Sequence, residues 1–317
     1  MKKVFVVMYH YIRELKKSRF PEIKGLDINM FRQQIQFFKN NFNIIRMEEV
    51  IAAYDEGYEL PENALLLTFD DGYIDHYTNV FPILSDYGVQ GSFFVIGKTF
   101  MEHTLLDVNK IHFILASTPI EKLLKDLERE FQLYQRDCQL GNYKELFEQY
   151  AVANRFDYKE VIFFKRMLQT VLPEEIRNEI TSNIFKQRIG VSEEVFAREI
   201  YLNYDQMKCM KKAGMYFGLH GYDHYWLGNL EKEQIETDIR KALECMLGIA
   251  DENNWVMNYP YGSYNDDVIC FVKKKGCKLG LTTEPRIADV SVDDRFRFPR
   301  LDTNDFPPKS KNYIYLE

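Results

Sequence analysis

An excess of positive charge is absent from this chain: 41 lysines and arginines stand against 48 aspartates and glutamates, a formal charge of −7. That balance gives no global attraction to phosphate backbones and sets nucleic acid aside as a partner. Cysteine is scarce and unpatterned. Cys138, Cys209, Cys245, Cys270 and Cys277 form no C-x-x-C, which argues against a disulfide framework or a thiolate metal site and for a reducing compartment. Long apolar runs are missing too. The opening M-K-K-V-F-V-V-M-Y-H superficially resembles a signal peptide, yet its apolar run is too short and no small-residue cleavage site follows. No other stretch approaches the roughly 20 apolar residues of a membrane span. The expectation is a cytoplasmic protein with no transmembrane segment, its oligomeric state open.

What is present is the composition of a folded protein. Over 317 residues, 46% are hydrophobic and 15% aromatic, enough to build one large α/β domain or two smaller ones. The chain is organised around residues 64–73, A-L-L-L-T-F-D-D-G-Y. An uncharged apolar run this short, bounded by turn residues, reads as a strand buried on both faces. It ends in Asp70 and Asp71, and two adjacent carboxylates there are costly unless something nearby needs negative charge. Parallel α/β folds mount their chemistry at the C-terminal ends of strands. A simpler reading has one aspartate capping the next helix, with Gly72 in the turn.

The flanking segments repeat the alternation. Residues 4–9 read as a second buried strand ending at His10. Phe31, Ile35 and Phe38 recur at helical spacing with Asn29 placed to cap, and residues 48–54 and 77–87 read as helices, the latter despite Pro82. Residues 91–96 form a third strand. Between 105 and 202 strand signals vanish. Ile120, Leu123, Leu124, Leu127 and Phe131 line one helical face, and further amphipathic segments follow. This block reads as a helical insertion within a single domain of 1–317, its Tyr150, Phe163 and Phe164 as core. Strands resume at 215–219, 255–258 and 278–282, alternating with helices at 232–247 and 267–275. About seven strands, mostly followed by helix, predict an α/β fold and suit an incomplete or distorted (β/α) barrel better than an open sheet, two arrangements that periodicity alone does not separate.

The strand at 215–219 runs into His220-Gly221-Tyr222-Asp223-His224. Imidazole and carboxylate together suit a divalent ion such as zinc. Two histidines and one aspartate leave positions open for water and substrate, the catalytic rather than the structural pattern. Two histidines four apart are more often incidental than ligands; their place at a strand end, as with Asp70 and Asp71, is what gives them weight.

T-F-D-D-G (68–72), H-G-Y-D-H (220–224) and P-Y-G (260–262) together resemble the polysaccharide deacetylases of the NodB-homology type, the family 4 carbohydrate esterases. The resemblance covers roughly residues 1–103 and 203–302. It implies the family's distorted barrel, Asp70 as general base, and Asp71, His220 and His224 as ligands of one divalent ion: zinc, with cobalt, nickel, manganese or iron as alternatives. Three departures stand out. Gly221 replaces the usual Ser or Thr, Asn258 stands where the family has Arg, and no histidine after His224 supplies the late general acid. Met8-Tyr9-His10 resembles the Y-H of the poly-N-acetylglucosamine deacetylases, whose barrel is circularly permuted, so His10 is the candidate acid. Arg300, in F-P-R-L-D, is the candidate for the missing arginine.

The function implied is removal of an acetyl group from an N-acetylated amino sugar in a glycan or sugar precursor, by metal-activated water with Asp70 as base and His10 as acid. Pro260, Tyr261 and Gly262 are the expected substrate contacts, with the backbone N–H of Tyr261 toward the oxyanion. Tyr222, Tyr225 and Trp226 are candidates to wall a sugar groove, Trp226 being read rather as core. His76, His103 and His112 show no partner spacing and stay outside the predicted site. Two rivals remain: a deformylase or amidase acting on a small non-sugar amide, and a non-catalytic carbohydrate-binding protein with a relic site.

Overall fold

A computed structural model describes residues 3–135, 140–154 and 157–316; Cys138 and the first two residues of the N-terminal motif lie outside the described residues. The chain forms two compact units. One comprises Met1–Glu14, Gly25–His103 and Ile200–Glu317, the other Leu15–Lys24 and Thr104–Glu199.

In the first unit six strands lie side by side in chain order, all parallel: β1 (Lys3–Tyr9), β2 (Ala64–Phe69), β3 (Ser92–Val95), β4 (Tyr216–Leu219), β5 (Val256–Asn258) and β6 (Leu279–Leu281). A seventh, β7 (Leu301–Asp302), pairs with β1, Leu301 opposite Val7. Three residues earlier, Phe298 bridges in parallel to Leu281 of β6. One stretch of chain thus joins the first and last strands, and the sheet curls into a distorted (β/α) barrel. Every residue of β2 is buried, as its unbroken apolar run requires. Tyr9, Phe69 and Phe93 stack across β1, β2 and β3, with ring centroids 5.1 and 4.8 Å apart. Each such pair adds roughly 0.5–1.5 kcal/mol beyond its buried area. The stack sits one residue short of His10 and Asp70 and holds those strand ends in register.

Helices α1 (Ile28–Asn41), α2 (Met47–Asp55), α3 (Phe81–Tyr87), α4 (Tyr204–Lys212), α5 (Lys232–Cys245) and α6 (Asp266–Lys274) accompany the strands. Helix α1 buries Phe31, Ile35 and Phe38 as their spacing predicts. Its cap is Asp27 rather than Asn29. Asn29 already lies in the first turn, and its N–H donates to Asp27 Oδ1 at 2.9 Å. A π-helical turn, His76–Val80, precedes α3, and Pro82 falls in the first turn of α3, where a missing N–H costs little.

The second unit is helical, with Asp107–Ser117, Ile120–Gln135, Tyr143–Tyr150, Lys159–Arg166 and Glu174–Ile189 among its helices. Residues Met167–Val171 form a π turn. Phe20 packs edge-on against Phe113 and Phe196 at 5.0 and 5.8 Å, which ties Leu15–Lys24 to helices far along the chain. Phe163 and Phe164 are core; Tyr150 is only half-buried, at the end of a helix that buries no residue fully. Among the described residues no helix is long and apolar enough to cross a membrane.

Candidate active site

Parallel pairing brings the chemistry together. With Tyr9 opposite Phe69 and Val95 opposite Leu219, the residues following β1, β2 and β4 emerge at one end of the barrel. Those residues are His10, then Asp70 and Asp71, then His220. Backbone bonds continue the register one step further: Asp70 N–H donates to Tyr9 O at 2.9 Å and His220 N–H to Val95 O at 3.2 Å.

Asp71, His220 and His224 each offer a ligand atom, all within 4.8 Å of one another. The Nε2 atoms of His220 and His224 lie 3.3 and 3.5 Å from Asp71 Oδ1. That oxygen is buried without a hydrogen-bond partner. Its twin, Oδ2, accepts the Tyr73 hydroxyl at 2.6 Å, which turns Oδ1 toward the histidines. His220 Nδ1 is 2.8 Å from the carbonyl of Asn258, an acceptor only, so Nδ1 carries the proton and Nε2 presents its lone pair. Burial pushes the His224 imidazole down to about 3, with Asp71 pulling the other way; it is neutral, the form that ligates. An orphaned carboxylate oxygen facing the His220 lone pair and a second, neutral imidazole is unfavourable by itself and fits a divalent cation.

The backbone is strained at the same place. Among the described residues five non-glycines have positive φ, and three are Asp71 (72°), His224 (58°) and Tyr261 (58°). Each costs of order 1–3 kcal/mol, a burden that concentrates at functional sites. Gly72, at φ 71°, follows Asp71 directly, and a Cβ there would meet Val95 Cγ1 at 2.6 Å. The D-D-G turn is therefore a device for aiming carboxylates. Neither aspartate caps a helix: Asp71 accepts from Tyr73 and Asp70 pairs with Arg300.

That pair is bidentate. Arg300 donates through its two terminal nitrogens to Asp70 Oδ1 and Oδ2 at 2.8 and 2.9 Å, and further to Thr68 Oγ1 at 3.2 Å and the carbonyl of Thr282 at 2.8 Å. Burial raises the Asp70 carboxyl, but the charge and hydrogen bonds of Arg300 outweigh it and bring it to about 2. Asn258, where the family carries arginine, is buried with its side-chain amide unpartnered. His10 Nε2 lies 3.9 Å from Asp70 Oδ2, its side chain 44% exposed. It is not a buried structural histidine.

Pro260–Gly262 form a single tight turn after β5. The Tyr261 ring lies 4.5 Å from that of His224, and Trp226 stacks on Tyr261 at 4.3 Å and 4°. Trp226 is 45% exposed and Tyr225 38%, so the core reading of Trp226 fails: it closes a row of rings leading from the ligand cluster to solvent. Tyr222 is half-buried and donates to Glu102 Oε1 at 2.6 Å. Three supporting residues escape sequence reasoning. Tyr73 is signalled only by its adjacency to D-D-G, and Asp238 by nothing. His76, set aside for lack of spacing, is fully buried with Nε2 3.0 Å from the His10 carbonyl.

A parallel barrel that carries a cation-competent cluster and an ionised carboxylate at its C-terminal strand ends has the make-up of an enzyme's active site. The family model for polysaccharide deacetylase matches residues 57–142 and 195–280, more than half of the chain. The chain belongs to the polysaccharide deacetylase family, the family 4 carbohydrate esterases. YxkH of Bacillus subtilis (strain 168), provisionally named a polysaccharide deacetylase, is 19% identical over 287 residues, 90% of this chain and 66% of its own. The poly-β-1,6-N-acetyl-D-glucosamine N-deacetylase of Escherichia coli (strain K12) is 23% identical over 292 residues, 91% of this chain and 35% of its own. The chain thus spans just under two thirds of one curated relative and about a third of the other. Two solved structures share the fold. The Streptococcus pyogenes deacetylase PplD in complex with acetate has a TM-score of 0.58 at 20% identity, covering 99% of this chain and 98% of its own. IcaB from Ammonifex degensii has 0.55 at 17%, covering 99% and 96%.

Proposed function

We propose that this protein is a metal-dependent N-deacetylase acting on an N-acetylated amino sugar in a glycan or glycan precursor. The observation that carries the reading is the orphaned Asp71 Oδ1 facing two imidazoles, with Asp70 held ionised beside it. Asp71, His220 and His224 are the residues to hold the ion, and their mixed oxygen and nitrogen donors suit zinc, with cobalt, nickel, manganese or iron as alternatives. A divalent ion there supplies Lewis acidity, acidifying a nearby water and polarising an amide carbonyl.

The remaining work falls to the chain. Asp70 accepts the proton of the attacking water; Arg300 keeps it ionised and fixes its two oxygens. His10, on the exposed side of Asp70, delivers a proton to the departing amine, a task that suits imidazole near neutral pH. The backbone N–H of Tyr261 donates to the developing oxyanion, with Pro260 and Gly262 shaping the turn. The exposed Trp226–Tyr261 stack offers an aromatic face to a sugar ring, and the Escherichia coli relative is named for a β-1,6-linked N-acetylglucosamine polymer.

The test is acetate release from a panel of N-acetylated saccharides and sugar precursors, using chelated protein and protein reloaded with zinc or cobalt. Metal-dependent release is expected. Asp70→Asn should abolish it while one metal per chain stays bound, and His10→Ala should lower it by about 10²–10⁴-fold, also with metal retained. Loss of metal from Asp70→Asn would refute the division between base and ligands. Silence with one metal bound redirects the search to formyl or non-sugar amides; silence with no metal bound revives the relic carbohydrate binder.

A further inference from the structure

The backbone between the two histidine ligands is held by a residue that belongs to neither motif. Asp238, on α5, is 3% exposed. Its Oδ2 accepts the N–H of Tyr222 at 3.0 Å and its Oδ1 that of Asp223 at 2.8 Å. Both oxygens of one carboxylate are thus committed to consecutive amides of the loop joining His220 to His224. Hydrogen bonds to a carboxylate are roughly twice as strong as neutral ones. Ile235, Ile239 and Ala242 are buried on the same face of α5 and anchor Asp238 to the barrel, since residues three and four apart share a helix face.

The loop lies tight against this carboxylate. A Cβ on Gly221 would come within 3.0 Å of Asp238 Oδ2, and Gly221 sits at φ 72°. On its other side the loop's carbonyls are taken: Gly97 N–H donates to Gly221 O at 3.1 Å and Lys98 N–H to Tyr222 O at 3.0 Å. Lys98 Nζ also pairs with Asp223 at 2.6 Å. His224 follows at once in a left-handed conformation. A non-glycine holds that conformation only when its surroundings over-determine it, and here the amides on Asp238 and the carbonyls on the Gly97–Lys98 backbone do so.

We propose that Asp238 is a positioning residue of the metal centre: by gripping the Tyr222 and Asp223 amides it aims His224 Nε2 at the point His220 and Asp71 share, and so sets the affinity for the divalent ion. This rests on the reading of Asp71, His220 and His224 as ligands. Outer partners of metal ligands typically govern 10–100-fold in affinity.

The experiment strips wild type, Asp238→Asn and Asp238→Ala with chelator. Each is titrated with zinc against a chromophoric competitor, and with cobalt followed by visible absorption; circular dichroism checks the fold. Wild type should bind one ion. Asp238→Ala, folded, should bind 10–100-fold more weakly with an altered cobalt spectrum. Asp238→Asn, which keeps the shape but has only one acceptor oxygen, should fall between. Lys98→Met, which removes only a partly exposed ion pair, should stay within about twofold of wild type. Folded Asp238 variants with wild-type affinity and spectrum overturn the proposal. So does failure of both to fold, because Asp238 would then be holding the fold rather than the ligand. If Asp238→Ala alone fails to fold, Asp238→Asn decides. A wild type that binds neither ion defeats the underlying metal reading instead, a separate and recognisable result.

Discussion

Arg300 and Asp70 are 230 residues apart in sequence and joined by two hydrogen bonds under 3 Å in a dry setting. Removing one member of a buried ion pair leaves the other uncompensated, at a cost of about 3–5 kcal/mol. Arg300→Met should lower stability by that amount in urea unfolding, while the double variant Arg300→Met/Asp70→Asn should recover part of it. A single variant that loses less than about 1 kcal/mol would show that Asp70 is satisfied without the arginine. The two aspartates were legible because they interrupt an apolar run at a strand end. Arg300 was legible only as a candidate, since an arginine between Phe298-Pro299 and Leu301 carries no periodic signal. Its target became clear when β7 was placed beside β1.

One π turn does the positioning at the scale of elements. Together with Asp75, which immediately precedes it, the turn grips the segment after β1: His76 Nε2 is 3.0 Å from His10 O, Asp75 Oδ2 accepts from Ile12 N–H at 3.1 Å, and Asn79 donates to Ile12 O at 2.8 Å. Arg13 closes the grip with two bonds to Asp75 at 2.8 and 2.9 Å. Isolated π turns recur at functional sites. The helical periodicity of residues 77–87 announced a helix but not the extra residue in its first turn, because a single π turn leaves no repeat to detect. Burial pushes His76 down to about 4, against the pull of its bond to the His10 carbonyl. An unfolded histidine titrates near 6.5. Below that pH the unfolded chain takes up a proton that folded His76 refuses, so this contribution is present above pH 6.5 and is lost as pH falls toward 4. Its size is on the order of 3 kcal/mol. Wild type should therefore lose more stability than His76→Gln between pH 7 and pH 4.5. A gap between the two that does not change with pH would mean that folded His76 takes up its proton as readily as the unfolded chain does.

For the whole molecule, an ion that binds the folded Asp71–His220–His224 cluster and not the unfolded chain must stabilise the barrel by mass action. At a free zinc concentration of 100 Kd the gain is about 2.7 kcal/mol. Zinc should raise the melting temperature of wild type, chelator should reverse the rise, and Asp71→Asn should abolish it. An equal shift in Asp71→Asn would place the ion elsewhere.

The strands, most of the helices, the D-D-G turn and the H-G-Y-D-H loop are legible in the chain because each rests on local physics: burial period, turn chemistry, and charged groups at apolar strand ends. Which groups serve them depends on contacts made in the folded chain. Parallel register set His10 beside Asp70, barrel closure delivered Arg300, and the packing of α5 brought Asp238 under the ligand loop. Phe20 likewise joined residues 15–24 to helices nearly a hundred or more residues onward. Contacts of this kind join residues far apart in sequence, and neither partner's local pattern changes when the contact forms.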